Sequence, residues 1–231
     1  MHKDEIIKLK HYVNALSLDD ISELCYEVEN SYEPLLAWCS YFSSYHQADN
    51  ELIIISSIYS SIRETAACLA LGLKRMALLS MRTQVDLSLA WIFFKDHPVE
   101  WNHINQTGKD FRLKKDIFQY LSTYVDGFQK RIGLLNQIKS RRVADPYSLL
   151  SAHIHGQSEL TLPLNYALSD VAVPIEDLQE CAHIASDLTE FVSDVFLASN
   201  FWNFHSLPIS IQTSLTQRFV SDAQQAEYFN A

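Results

Sequence analysis

The chain has 231 residues, a formal net charge of −10, and only 5 glycines and 6 prolines. Hydrophobic residues make up 48% of it and charged residues 20%, a globular balance that excludes a disordered chain. So few turn-forming residues disfavour many-stranded sandwiches and barrels, and the glycines lie too far apart for a glycine-rich phosphate loop. The composition therefore predicts an all-α protein.

Helical periodicity begins near the N-terminus. Residues 3–16 form the first predicted helix, Ser17 is placed to cap a second helix that ends near Asn30, and Pro34 lies in the first turn of a third. We interpret residues 1–48 as an N-terminal helical extension.

The longest helical pattern covers residues 50–94 and contains no proline and the single glycine Gly72. It predicts either one long helix or two helices that meet near Gly72. A strand over Leu52–Ile55 is the alternative for its first residues, because β-branched side chains favour strands. Residues 96–98, Asp-His-Pro, end the pattern.

Further helices are predicted in the second half of the chain. Residues 110–130 keep a helical pattern, Pro146 opens a short helix that Gly156 ends, and Pro174 opens the most regular helix of the sequence. Residues 157–173 show no helical pattern and are predicted to be a long loop.

The last helical segment begins at Pro208, and residues 221–231 are predicted to be a flexible tail. Residues 49–220 would then form one helical bundle. The fold class that we predict is all-α, a helical bundle with an N-terminal helical extension.

Four cysteines, at positions 25, 39, 68 and 181, lie in apolar, helix-like surroundings without a C-x-x-C pair. Free buried thiols, together with a charged N-terminus that lacks the apolar core of a signal peptide, predict a cytoplasmic protein. The apolar stretches 65–81 and 195–217 are interrupted by charged or polar residues, so we expect no membrane span.

Basic residues cluster between Lys109 and Arg142, where half of the 18 in the chain are found. This segment indicates either a solvated helical face or a surface for phosphate or an acidic partner. The net charge of −10 opposes nucleic-acid binding at long range but does not exclude a local basic groove.

Arg82 and Asp86 lie four residues apart on the central apolar helix and therefore share a face. Charges on an apolar helix must pair or face a polar cleft, because an isolated buried ion is strongly destabilising. The pair is either an internal ion pair that fixes helix packing or part of a functional site.

Tyr147, Ser151 and His155 form a second polar row at positions i, i+4 and i+8 of the short helix. Such a row would place an imidazole base beside a hydroxyl group. The alternative is that His155 caps helix carbonyl groups or bonds a neighbouring helix. No cofactor or metal is predicted, because His153 and His155 diverge on a helix and no Cys or His group has the spacing of zinc ligands.

Two short motifs carry a family resemblance. The first is Arg-x3-Asp at Arg82 and Asp86, and the second is Tyr-x2-Leu-Ser-x2-Ile-His over residues 147–155. Together they resemble a group of bacterial helical proteins that is similar to the HEPN superfamily of nucleotide- and RNA-associated domains. The resemblance covers roughly residues 50–200.

The resemblance implies a four-helix up-and-down core, dimerisation, and membership in toxin–antitoxin or antiviral defence systems. Many HEPN proteins are metal-independent ribonucleases with an Arg-x(4–6)-His motif, but no arginine of this chain stands at that spacing before a histidine. A ribonuclease would need Arg82 to stabilise phosphate charge from a different helix, with His155 as the base.

We therefore expect a degenerate or non-catalytic HEPN-like protein that acts by binding, as a homodimer or as a subunit of a defence-type assembly. The alternative is a metal-independent endoribonuclease, and a third interpretation is a pocket for a nucleotide-like ligand. The residues of either alternative site are Arg82, Asp86, Tyr147, Ser151 and His155.

Overall fold

The structure is a computed structural model that describes residues 3–45, 49–159, 161–199 and 202–231. Within these ranges it is an all-α helical bundle of thirteen α-helices without a β-strand, which confirms the predicted fold class. The helices are α1 (Lys3–Asn14), α2 (Leu18–Ser31), α3 (Glu33–Tyr45), α4 (Asp49–Ala70), α5 (Lys74–Phe94), α6 (Pro98–Thr107), α7 (Lys114–Tyr124), α8 (Phe128–Gln137), α9 (Pro146–His155), α10 (Ile175–Leu178), α11 (Glu180–Ser199), α12 (Ile209–Thr216) and α13 (Asp222–Phe229).

Helix α5 lies at the centre of the bundle, packed along α4 and also against α6, α7, α9 and α11. Aromatic side chains fill the core beside it. The rings of Phe42 and Trp91 stack with their centres 3.8 Å apart, and Phe196 meets Phe42 edge-on at 5.0 Å. All three side chains are almost completely buried, and each contributes about 1.5–3 kcal/mol through removal of apolar surface from water.

Residues 50–94 form two helices rather than one, because the chain turns at Gly72. Gly72 has a φ of +72°, in the left-handed region that side chains with a Cβ rarely adopt. Gln84 Nε2 donates to Thr65 Oγ1 at 2.9 Å across the two helices, so α4 and α5 run antiparallel. The strand alternative for Leu52–Ile55 is wrong, since these residues lie within α4.

The N-terminal region contributes to the same core as the rest of the chain. Side chains of α2 and α3 belong to the connected core cluster, whereas α1 has no buried residue. Ser17 caps α2 as predicted by accepting a hydrogen bond from the Asp20 backbone at 3.4 Å. The domain boundary that we expect after residue 48 adjoins residues 46–48, which lie outside the described residues.

Three segments after residue 94 differ from the prediction. The pattern over residues 110–130 is not one helix. Helix α7 begins only at Lys114, and Gly127, with a φ of +71°, interrupts the pattern between α7 and α8. Helix α6 was not predicted. The loop over 157–173 contains a short 3₁₀-helix, Leu168–Val171.

The C-terminal segment predicted as a flexible tail forms helix α13 instead. Ser221 caps this helix by accepting a hydrogen bond from the Gln224 backbone. Tyr228 is buried and its hydroxyl group donates to the Leu197 carbonyl oxygen at 3.1 Å. This aromatic anchor holds α13 against the bundle.

One described helix is long and apolar enough to cross a membrane. Leu52–Ala70 in α4 has a mean hydropathy of 1.3, and 39% of its most apolar window is buried in the bundle. A core helix of a soluble protein passes the same test. Of the two stretches considered from the sequence, 65–81 overlaps this helix at residues 65–70. Residues 200 and 201 of the second stretch, 195–217, lie outside the described residues.

Candidate functional site

The site is built on α9, whose two ends are fixed by local sequence. Asp145 caps the N-terminus by accepting hydrogen bonds from the backbone and the hydroxyl group of Ser148, at 3.4 and 2.8 Å. Pro146 occupies the first turn, and Gly156 ends the helix with a φ of +57°. The predicted bounds of this helix are confirmed.

Helix α9 runs antiparallel to α5, as the contacts between them show. Tyr147 and Ser151 contact Arg82, whereas the carbonyl oxygen of Ile154 accepts a hydrogen bond from Arg75 Nη2 at 2.8 Å. Residues farther along α9 therefore contact residues nearer the N-terminus of α5.

Arg82 lies at the centre of the cluster. Its guanidinium group pairs with Asp86, donates from Nε to Ser151 Oγ at 3.0 Å, and lies 3.4 Å from the centre of the Tyr147 ring. The side chain is only 13% exposed. Burial lowers the pKa of Arg82, and interactions with Tyr147 and Asp145 oppose this effect.

A second ion pair adjoins the same tyrosine ring. Lys114 Nζ lies 2.6 Å from Asp145 Oδ2 and 4.7 Å from the centre of the Tyr147 ring. Burial acts to raise the pKa of Asp145, but hydrogen bonds from Lys114 and Ser148 outweigh it and hold this pKa below the ordinary value of 3.8. Sequence reasoning missed the ion pair of Lys114 and Asp145. A signal for Asp145 was present, because an aspartate directly before Pro146 is the pattern of a helix cap.

His155 does not join the cluster. It is exposed, and its ring makes no hydrogen bond or ion pair with the residues that the structure describes. It follows Ile154, which contacts Arg75, and Arg75 precedes Arg82 by seven residues, about 10.5 Å along a helix axis. The structure thus brings four predicted site residues together and places His155 toward the other end of α9.

The chemistry of the cluster is that of linked ion pairs around a tyrosine ring. Ser151 is bonded to a guanidinium group rather than to an imidazole, so the hydroxyl–base pair expected from the row is not formed. Among the described ranges, no group of three or more His, Cys, Asp or Glu side chains is arranged to hold a metal ion.

The basic segment between Lys109 and Arg142 is partly internal. Arg141 is buried with a 1% exposed side chain, and its Nη1 lies 2.5 Å from Asp194 Oδ2 on α11. Arg218 donates to the other oxygen of Asp194 at 2.6 Å. Asp194 is completely buried, so this part of the segment forms a structural ion cluster rather than a solvated face or a phosphate surface.

Arg131 is buried as well. Its Nε donates to the Ala198 carbonyl oxygen at 2.7 Å, and its Nη2 donates to the Asp126 carbonyl oxygen at 2.6 Å. The first bond ties α8 to the end of α11, and the second ties it to the turn before α8. The exposed basic residues of the segment include Lys109, Lys115, Lys130, Lys139 and Arg142.

Comparison with known proteins gives no relative for this chain. No protein-family model, no curated protein and no solved structure matches it. The functional assignment therefore depends on the residues of the molecule itself.

Proposed function

We propose that this chain acts by binding, as a cytoplasmic, HEPN-like helical protein that forms a homodimer or a subunit of a bacterial defence or toxin–antitoxin assembly. The observation that carries the proposal is the state of Arg82, whose guanidinium group is engaged by Asp86, Ser151 and Tyr147. An arginine engaged in this way joins two helices, and its charge is paired with Asp86 rather than available to stabilise a phosphate group.

A second observation supports association with a protein partner. Met76 and Leu79 are 45% and 39% exposed on α5, the same helix that carries Arg82. They lie three residues apart and therefore share a face. Exposed apolar side chains beside a rigid polar cluster are a typical composition for a protein interface.

Light scattering of the purified chain tests the homodimer. We expect a mass twice the 26.5 kDa of one chain, and a shift toward the monomer in a Leu79→Glu variant. Ile209→Glu is the matched control, because Ile209 is 75% exposed on α12, away from α5, and should leave the dimer intact. A monomeric wild-type chain would rule out the homodimer and leave the assembly with another protein.

The alternative function is that of a metal-independent endoribonuclease. The observation in its favour is the exposed imidazole of His155, which no described residue engages. For RNA cleavage, that imidazole would have to reach the same phosphodiester as Arg82 from a position one helical turn beyond Ser151, which bonds Arg82. A cleavage assay with a His155→Ala control distinguishes the two functions.

A further inference from the structure

A separate pocket of about 290 Å³ lies where the first turn of α5, the end of α9 and the loop after α9 meet. Its apolar lining includes Leu78, Leu162, Leu164 and Val173. Its volume is near the lower end of the range for small-molecule sites, so it suits a small ligand.

The loop wall of the pocket is anchored to the rest of the bundle. Val173 donates its backbone N–H to the Gly72 carbonyl oxygen at 2.9 Å, which ties the loop to the turn between α4 and α5. Asp170 caps the turn before it, accepting from the backbones of Tyr166 and Ala167 at 3.0 and 2.8 Å. The wall is therefore tied to the bundle by one backbone bond and braced within the loop by the Asp170 carboxylate.

Three basic side chains line the same pocket: Lys74 and Arg75 from α5, and His153 from α9. The bond from Arg75 to the Ile154 carbonyl oxygen holds its guanidinium group beside the end of α9. Burial lowers the pKa of His153, and the positive charges of Lys74 and Arg75 lower it further against the opposing effect of Glu180. His153 is thus a neutral hydrogen-bonding group beside two cations near pH 7.

Two acidic groups, Asp170 and Glu180, lie near these cations, and among the described residues neither forms an ion pair with Arg75. The Asp170 carboxylate keeps its negative charge, and its Oδ2 accepts from the backbone N–H groups of its own turn rather than from Lys74 or Arg75. Glu180 pairs with Lys74 at 3.1 Å, but the Glu180 side chain is 55% exposed. An exposed pair of this kind contributes little, so a ligand anion can replace Glu180 as the partner of Lys74.

We propose that this pocket binds a small amphiphilic anion, with a carboxylate or phosphate-ester head held by Lys74 and Arg75 and an apolar body packed against Leu78, Leu162 and Leu164. The combination of two cations, a neutral imidazole and apolar walls in one pocket matches both parts of such a ligand. This site is distinct from the Arg82 cluster and does not depend on the function proposed above.

Calorimetric titration of the full chain with four probes tests the ligand class. Decanoate and decyl phosphate carry both parts of the ligand, decanol lacks the charge, and acetate lacks the apolar body. We expect at least one of the two amphiphilic anions to bind about tenfold or more tightly than decanol and acetate. The anion that binds more tightly identifies the head group as a carboxylate or a phosphate ester.

Three variants connect this binding to the pocket. Arg75→Gln should lower the affinity for the tighter-binding anion by about tenfold. Glu180→Gln should strengthen it, because Lys74 then has no competing carboxylate, and a purely structural role of the pair would not produce this gain. Lys115→Gln, which removes an exposed lysine outside the pocket, is the charge-matched control and should leave the affinity unchanged.

Thermal unfolding of each variant shows whether it is folded before its affinity is compared. The proposal is overturned if no probe binds at concentrations up to about 1 mM, or if decanol binds as tightly as the anions. It is also overturned if Glu180→Gln weakens anion binding in a folded protein.

Discussion

The guanidinium group of Arg82 lies 3.4 Å from the centre of the Tyr147 ring, which joins the central helix α5 to the capped helix α9. Asp86 and Ser151 complete the surroundings of this arginine. The contact combines a planar cation over an aromatic face with directed hydrogen bonds. Only arginine among the basic residues supplies both interactions at once.

Replacing Arg82 by lysine should therefore destabilise the protein. An ammonium group keeps the charge for Asp86 but loses the planar stacking on Tyr147 and the Nε–H bond to Ser151. We expect the free energy of unfolding to fall by about 1–3 kcal/mol, measured by urea denaturation. Arg63→Lys at an exposed position of α4 is the matched control and should change it by less than about 0.5 kcal/mol. Equal effects of the two variants would contradict a joining role for Arg82.

Asp194 should be among the most sensitive polar positions of the chain. It is completely buried between Arg141 and Arg218, so Asp194→Asn removes their nearest anion and leaves only the more distant Glu190, at 3.2 and 3.5 Å. The expected loss in the free energy of unfolding is about 3–5 kcal/mol. Glu159→Gln, which makes the same acid-to-amide change on the surface, should have almost no effect. A loss below about 1 kcal/mol for Asp194→Asn would show that the cluster is not needed for stability.

Two glycines should respond in opposite directions to alanine. Gly72 has a φ of +72°, and a Cβ there would approach the Val173 carbonyl oxygen to 3.1 Å. Gly72→Ala should cost about 1–2 kcal/mol of stability. Gly133 lies within α8 and a Cβ there would meet no atom within 4 Å, so Gly133→Ala should stabilise by about 0.5–1 kcal/mol. Thermal unfolding measures the change in stability of each variant. A Gly72→Ala variant as stable as the wild type would contradict the requirement for glycine at this turn.

The His153 ring should titrate below its ordinary pKa of 6.5, because burial and the charges of Lys74 and Arg75 disfavour its protonation. Between that lowered pKa and 6.5 the unfolded chain binds more protons than the folded chain. The contribution of His153 to the free energy of unfolding is therefore fully present above pH 6.5. It is lost as the pH falls through the pKa that His153 has in the folded protein.

Two-dimensional NMR of the imidazole resonances measures this titration. Arg75→Gln should move the His153 pKa upward toward 6.5, whereas Lys115→Gln should not move it. In His153→Gln, the part of the acid-induced loss of stability that comes from this ring should disappear. A wild-type pKa above 6.5 would contradict the positive surroundings inferred for the pocket.

Local sequence accounts for part of the Arg82 cluster. Asp86 lies one helical turn after Arg82, so their pairing follows from helix geometry alone. The contacts with Tyr147 and Ser151 depend on the antiparallel packing of α9 on α5, which residue spacing does not specify. The same packing places the end of α9, where His155 lies, beside Arg75 rather than Arg82, although His155 shares a stripe with Ser151.

The buried ion cluster was missed, although a signal was present. Asp187 and Asp194 lie seven residues apart on the otherwise apolar, buried face of α11. The argument that charges on an apolar helix must pair, applied to Arg82, holds equally for them. Their partners come from distant segments: Asp187 accepts from the backbones of Arg142 and Val143, and no pattern along the chain indicates that contact.

Helix ends were predictable where proline and glycine mark them. Pro146 and Gly156 bound α9 as expected, whereas Gly127 lies inside a periodic apolar pattern that continues on both sides of the break. Helix α13 was missed because its short sequence has little apolar character of its own. Its order depends on the tertiary burial of Tyr228, which sequence periodicity does not reveal.

The central claim, that the chain acts by binding and not by cleaving RNA, is tested most directly by incubating it with mixed cellular RNA in a metal chelator. His155→Ala and Arg82→Lys are run beside the wild type, and each sample is first shown to be folded. The account predicts that all three leave the RNA intact over the same time as buffer alone. Cleavage by the wild type that His155→Ala abolishes would contradict the account and establish a metal-independent ribonuclease.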